Sequence, residues 1–404
     1  MRVALDRAHH IPRRVPLPKK KKMSNLRRRP CSPSASLPLD DDDLLSEILL
    51  RLPPHPSSLP RASLVSKRWR LLISDPRFVR RFRIHHRRHP PLLGCFVRTA
   101  SGLSFEPTMS APNRVPSGLL RFDSGDFSRP LGCRHGLALF SGHPPQRFLV
   151  WDPVTGDQHR LPVPPGFHPG TDLEVNGAVI RAAGEGDAHF RVAFVAAGKA
   201  LALACVYSSE TGLWGDIIST PVAVKTNPLA RRFPALGRHI VSPEHAVLVG
   251  DSLYWQLTGW ESRILEFDLE NQSLAVIRVP LDVWYDGGTF TITRAAGGGL
   301  GFLFLSEFTA QVWERNIGCD GVASWALVTT TDLDKLLSLV PKLHYNIEIL
   351  GFAEENNVVF LMTARSVFSV QLHSLQFKRL SEFNVTAEYY PFESVYTAGN
   401  SIRM

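Results

Sequence analysis

Two hydrophobic patterns divide the chain. From Leu44 to Leu52 the apolar residues are Leu44, Leu45, Ile48, Leu49 and Leu52, one broad helical face, with Ser46, Glu47 and Arg51 off it. Asp40 to Asp43 supply capping carboxylates at its start, and Pro53-Pro54 ends it. Ser57 or Ser58 can cap a second helix, with Leu59, Ala62 and Val65 at helical spacing. A third carries Val65 or Trp69, then Leu72 and Ile73. Asp75-Pro76 interrupts it, and Phe78 and Phe82 extend its apolar face. From about Leu92 onward the period shortens to that of strands.

The strand region repeats itself loosely. "CRHGLALFSGHPPQRFLVWDPVTGDQHRLP" reads as apolar strands, a DPVTG turn and a polar strand. The plan recurs with the turns SSETG, DLENQ, a longer turn around Gly318 to Gly321, and His373-Ser374, so five units are visible. Four-stranded units at this period are the signature of propeller blades. "CFVRTASGLSFEP" with the C-terminal "YYPFESVY" supplies a sixth, closing the ring with strands from both chain ends. Recognition is weak around Val115–Arg129, which leaves six or seven blades open.

The helical block is too small for its apolar content. Three helices in under fifty residues bury little surface. A fully buried Leu or Ile contributes about 1.5–3 kcal/mol, yet some ten such residues on thin helices cannot all face inward. Some must face a partner or the neighbouring domain.

Charge refines the layout. The net charge is +9, but residues 1–36 hold 11 Lys/Arg and one acid, leaving 35 basic and 36 acidic residues, or −1, for the remainder. The basic balance thus belongs to a Pro- and Ser-rich leader that reads as disordered. Lys19, Lys20, Lys21 and Lys22 are a candidate nuclear import signal, with a solvated tail as the plainer reading, and Met23 offers a second translation start. Nothing here argues that the main domain grips nucleic acid. The five cysteines are scattered, with no CxxC pair, which suits a reducing compartment. No apolar core of signal-peptide length opens the chain, and "VAFVAAGKALALACVY" is too short to span a bilayer. Cytoplasm or nucleus is the expected location.

The block from Leu37 resembles an F-box. Leu37-Pro38, the acidic run, "LLSEILLRLPP", Leu59 and Arg61, "LVSKRW" and "LLISDPRF" carry the resemblance. Leu39 is an insertion, and Ser66 stands where many F-boxes have Cys. The region behind it resembles the F-box-associated, kelch-like propellers of plant F-box proteins through "VWDPVTGDQHRLP", "VYSSETGLW", "LVGDSLYW" and "GFAEENNVVFLMT". The resemblance implies a multidomain chain: a disordered leader at 1–36, a small all-α three-helix F-box at 37–83, a linker at 84–93 and an all-β propeller at 94–404. It implies a substrate receptor of a Skp–cullin–F-box ubiquitin ligase, docking on a Skp-type adaptor and through it on cullin. The matching apolar positions are Leu37, Pro38, Leu44, Leu45, Ile48, Leu49, Leu52, Pro53, Leu59, Val65 and Trp69. Periodicity does not separate those facing the adaptor from those forming the helix core, and Trp69 suits either.

Catalytic signatures are missing from the sequence. There is no GxSxG, P-loop or HExxH, and "GGGLG" at Gly297–Gly301 precedes a strand, as a tight turn does. His85, His86 and His89 lack a carboxylate or Cys to complete a ligand set and read as a solvated helix end. The expectation is a non-enzymatic receptor without cofactor or metal, binding an unknown target protein and no membrane. An interaction protein acting outside a ubiquitin ligase is the alternative. Trp255, Trp260, Trp284 and Tyr285 are candidate target anchors, with blade-core packing as the plainer reading of each.

Overall fold

The computed structural model describes residues 41–100, 102–122, 125, 127, 129–142, 147–166, 173–181, 189–198, 200–222, 240–258, 262–280, 288–339, 347–363, 366–382 and 387–397. The chain forms two compact units, 1–45 and 46–404, each taken by itself below. In the first, Asp41 Oδ1 accepts hydrogen bonds from Asp43 N (2.8 Å) and Leu44 N (3.3 Å), capping the helix α1 (Asp42–Leu50).

The second unit continues with α2 (Ser58–Ser63), α3 (Lys67–Ser74) and α4 (Pro76–His86). Ser57 occupies the cap position of α2 but does not cap it; its hydroxyl donates instead to Asn113 Oδ1 at 2.6 Å. Ser66 caps α3 by accepting from Trp69 N (3.2 Å). Asp75 caps α4 through Arg77 N (2.8 Å), with Pro76 in the first turn where its missing N–H costs nothing. The expected third helix is therefore two, split at Asp75-Pro76 because the residue before a proline leaves the helical region.

Six sheets follow. Blade one holds β1 (Leu92–Thr99) and β2 (Gly102–Pro107), completed by β25 (Glu388–Glu393) in the order β2-β1-β25. Blade two is β3 (Arg129–Arg134), β4 (Leu137–Ser141), β5 (Phe148–Trp151) and β6 (Gln158–Leu161). Blade three is β7 (Glu174–Arg181), β8 (Phe190–Ala197) and β9 (Leu201–Ser208), with β10 (Leu213–Trp214) and β11 (Ile218–Pro221) both on β9. Blade four is β12 (Ile240–Val241) and β13 (Val247–Val249), both on β14 (Ser252–Thr258), then β15 (Arg263–Asp268) and β16 (Ser273–Arg278). Blade five is β17 (Thr289–Arg294), β18 (Leu300–Ser306), β19 (Thr309–Ile317) and β20 (Ala323–Asp332), followed by the short helix α5 (Leu333–Leu336). Blade six is β21 (Glu348–Ala353), β22 (Val358–Met362), β23 (Ser366–Gln371) and β24 (Phe377–Glu382).

The innermost strands touch in sequence around a closed ring: β25, β3, β7, β12 and β13, β17, β21 and back to β25. The ring has six blades. The stretch around Val115–Arg129 is no seventh; Val115, Leu120 and Phe127 pack between blades one and two with Phe96, Phe140 and Trp151.

The turns that revealed the repeat do so for a local reason. In DPVTG, Asp152 Oδ1 accepts from Val154 N (2.9 Å) and Thr155 N (3.1 Å), and Gly156 takes φ 83°. Asp268 does the same in DLENQ, accepting from Glu270 N (2.9 Å) and Asn271 N (2.8 Å). "GGGLG" is the tight turn between β17 and β18, where Ala295 N donates to Gly299 O (2.8 Å).

Candidate functional site

Burial separates the helical block into an inside and an outside. Leu45, Leu49, Leu50, Leu59, Ala62, Ile73, Phe78 and Phe82 are buried. Phe78 and Phe82 stack at 6.2 Å, Phe82 meets His86 at 4.6 Å, and His86 Nε2 hydrogen-bonds Leu50 O at 2.8 Å. That contact and its burial place His86 in the packing between helices rather than in a solvated helix end. Burial is the main force lowering its pKa, ahead of the opposing hydrogen bond to Leu50. Arg81 Nη2 pairs with Glu47 at 2.6 Å and ties α4 to α1.

Outside lie large apolar side chains: Leu64 is 76% exposed, Leu71 75%, Val65 63% and Ile48 38%. In the unit 1–45, Leu44 is 42% exposed, one helical turn before Ile48 on α1. The five-residue stripe thus splits: Leu45 and Leu49 are core, Leu44 and Ile48 are surface. Trp69 and Leu52 are half-buried, Pro53 is exposed, and Leu59 is core. Leu37, Pro38 and Lys19 to Lys22 lie outside the described residues. Leu64 and Leu71 were not among the sequence candidates. Leu64 lies just past α2, and Leu71 lies off the core periodicity among Lys67, Arg68 and Arg70. An isolated Leu on such a basic face is the signal that finds it.

The helical block is fastened to the ring at its base. Arg83 on α4 donates from Nε (3.0 Å) and Nη2 (2.7 Å) to Thr397 Oγ1, beyond the closing strand β25. Asn356 Nδ2, in the β21–β22 turn, donates to Pro90 O (3.0 Å), and Ser394 N donates to Pro91 O (3.2 Å). The expected linker region therefore holds backbone that is hydrogen-bonded to the ring.

A polar lock fills one end of the ring's axis. Arg134 of blade two pairs with Glu354 of blade six and donates to Ala246 O of blade four at 2.6 Å. Glu354 Oε2 also accepts from Leu248 N (3.0 Å). The Arg134 guanidinium holds the Glu354 carboxyl down at about 2, against its burial. Arg294 of blade five pairs with Glu355 (3.0 Å) and reaches Leu248 O (2.8 Å). Burial, aided by the nearby Glu354 carboxylate, pushes Glu393 up to about 7, although Asn356 N (2.8 Å) and Glu355 N (3.2 Å) donate to it. These groups satisfy one another across blades and read as structure.

Trp255 is fully buried among Val195, Leu257, Leu265 and Phe267, which removes it as a target anchor. Trp260, Trp284 and Tyr285 lie outside the described residues. Burial pushes the Cys133 thiol well up and Cys205 to about 12, which disfavours the reactive thiolate in both. Among the described residues, no three His, Cys, Asp or Glu side chains are grouped to hold a metal ion, and no helix is long and apolar enough to cross a membrane.

Known proteins match both modules. The family model described as "F-box protein AT5G49610-like, beta-propeller" matches residues 131–396, and the F-box domain model matches residues 36–81. F-box protein At5g03970 of Arabidopsis thaliana is 24% identical over 323 residues, covering 72% of this chain and 68% of its own length. At1g47790 of Arabidopsis thaliana, provisionally named an F-box protein, is 32% identical over 154 residues; the match spans 36% of this chain and only 38% of that relative. Among solved structures, the Cps50 (Swd1) β-propeller domain of Myceliophteria thermophila aligns over 73% of this chain and 82% of its own, with 11% identity and a TM-score of 0.38.

Proposed function

The chain belongs to the family of F-box proteins with an AT5G49610-like β-propeller, and from that premise we propose that it is a substrate receptor of a Skp–cullin–F-box ubiquitin ligase. The observation that carries the reading is the exposed apolar set Ile48, Leu64, Val65 and Leu71, with Leu44 on the same helix as Ile48. These side chains sit outside a helical core already formed by others. They are the surface offered to a Skp-type adaptor, and cullin follows through that adaptor. The propeller holds the target protein, in the cytoplasm or nucleus. The chain's contribution is position and effective concentration, with the bond-making groups supplied by other subunits.

The test is a co-purification with a Skp-type adaptor. Changing Ile48 and Leu71 to Asp is expected to abolish capture while the melting temperature holds, because both side chains are on the surface. Replacing Leu45 and Leu49 by Ala would not discriminate, since it removes core and lowers stability by about 2–5 kcal/mol per residue. Retained capture by the folded Ile48→Asp/Leu71→Asp variant would overturn the reading.

A further inference from the structure

A small cavity of about 40 Å³ opens where α4 meets the ring, room for a few water molecules or one group of similar size. Its charged lining comes from separate elements: Arg83 on α4, Arg87 just past it, Arg181 at the end of β7, Asp152 in the β5–β6 turn and Glu393 on β25. Three guanidiniums face two carboxylates. Of those, Asp152 is held by Arg181 at 3.2 Å, and Glu393, pushed by burial to about 7, carries only part of a charge at neutral pH. Arginines thus outnumber carboxylates in the lining.

One further donor is built in. His135 lines the same cavity and holds φ 52°, an uncommon conformation for a residue with a side chain. Its Nδ1 accepts from Arg181 N (3.1 Å), so the neutral ring carries its hydrogen on Nε2. Burial, with Arg134 beside it, lowers its pKa to about 3 and keeps it neutral. Arg181 Nε in turn donates to His135 O (3.0 Å), so turn and arginine fix one another. A guanidinium has five N–H donors, enough to keep such contacts and still serve a ligand.

We propose that this cavity binds a phosphoryl group. Donors arriving from α4, from β7 and from the β3–β4 turn surround the space on several sides. A tetrahedral oxyanion presents acceptors in all those directions, whereas a planar carboxylate presents two oxygens in one plane, and arginine is the side chain best matched to phosphate. The bound group touches α4 and blades one to three together, so it stiffens the joint between the helical block and the ring. A free phosphate ester and a phosphoserine of a bound protein offer the same chemistry.

Full-length chain, without adaptor, is titrated calorimetrically at low ionic strength with inorganic phosphate, with pyrophosphate, and with a phosphoserine peptide beside its unphosphorylated twin. Saturable binding is expected, about tenfold weaker in Arg87→Ala and closer to wild type in Arg87→Lys. Phosphate should also raise the melting temperature above that in chloride of equal ionic strength. His135→Asn keeps a residue that tolerates this turn and removes the Nε2 donor, giving a second loss of affinity. Binding of the free anions alone assigns the site to a small phosphate ester. Tighter binding of the phosphopeptide, with the same Arg87 dependence, assigns it to a bound protein. No saturable binding from either source up to about 10 mM, or equal affinity in wild type and a folded Arg87→Ala, overturns the proposal. The readout needs no adaptor, so failure here leaves the receptor reading standing.

Discussion

Arg134 and Glu354 stand 220 residues apart in sequence and meet at the ring's axis, each side chain 5% exposed, with Arg134 Nη2 to Glu354 Oε2 at 3.0 Å. The pair joins blades two and six, and each partner also holds backbone of blade four. Removing Glu354 alone strands a buried guanidinium. Glu354→Met is expected to lower unfolding stability by about 3–5 kcal/mol, and the double variant Arg134→Met/Glu354→Met by less than the losses of Arg134→Met and Glu354→Met combined. Urea denaturation of the four proteins of the cycle checks this.

Stability should also respond to the buried acids. Glu244 and Glu393 are each raised from 4.5 to about 7, chiefly by burial. Their stabilising effect is complete below pH 4.5 and disappears as pH rises through 7. His135 and His245, lowered by burial, act in the opposite sense, contributing above 6.5 and losing that contribution as pH falls. Glu354, lowered from 4.5 to about 2, contributes fully above pH 4.5 and loses that contribution progressively as pH falls from there through about 2. Between pH 5 and pH 8, melting temperatures of wild type and Glu244→Gln should diverge in slope, the variant losing less as pH rises. Parallel slopes would count against the assignment.

Closure depends on one late strand. β25 is the inner strand of blade one and touches both β3 and β21. A chain ending at residue 386 removes that strand along with Glu393 and Thr397. It should lose cooperative unfolding altogether, seen as a broad thermal transition by circular dichroism.

Close packing at the same strand gives a single-residue test. A Cβ on Gly351 of β21 would come within 2.5 Å of Tyr389 O on β25, a backbone atom that cannot swing aside. Gly351→Ala should cost about 1–3 kcal/mol, whereas Gly297→Ala, where a Cβ would meet open space, should cost under about 1 kcal/mol. Chemical denaturation of both variants checks the contrast.

What was legible in the sequence is what is local. Asp152 and Asp268 each cap the N–H groups two and three residues on, so their turns can be read without knowing where the chain goes. The helix start in the run Asp40 to Asp43 is equally local, whereas the caps at Ser66 and Asp75 emerge only in the structure and Ser57, an expected cap, makes no capping bond. The Arg134–Glu354 pair was invisible, because neither residue's neighbours in sequence hint at a partner so far away. The stripe Leu44, Leu45, Ile48, Leu49, Leu52 has a face but no direction; only the burial of each residue separates Leu45 from the exposed Leu44 and Leu49 from the exposed Ile48. Trp255 was ambiguous for a related reason, since an aromatic in a strand fits a blade core or a rim equally well until its neighbours are known.

The order of synthesis adds a last consequence. The helical block leaves the ribosome first, with β1 and β2 directly behind it, but the strand that completes their sheet is made about 290 residues later. A product that ends after Leu71 but before β25 thus carries Ile48, Leu64 and Leu71 without the strand that closes its ring. Such fragments would compete with finished molecules for whatever those side chains engage, and would bring nothing with them.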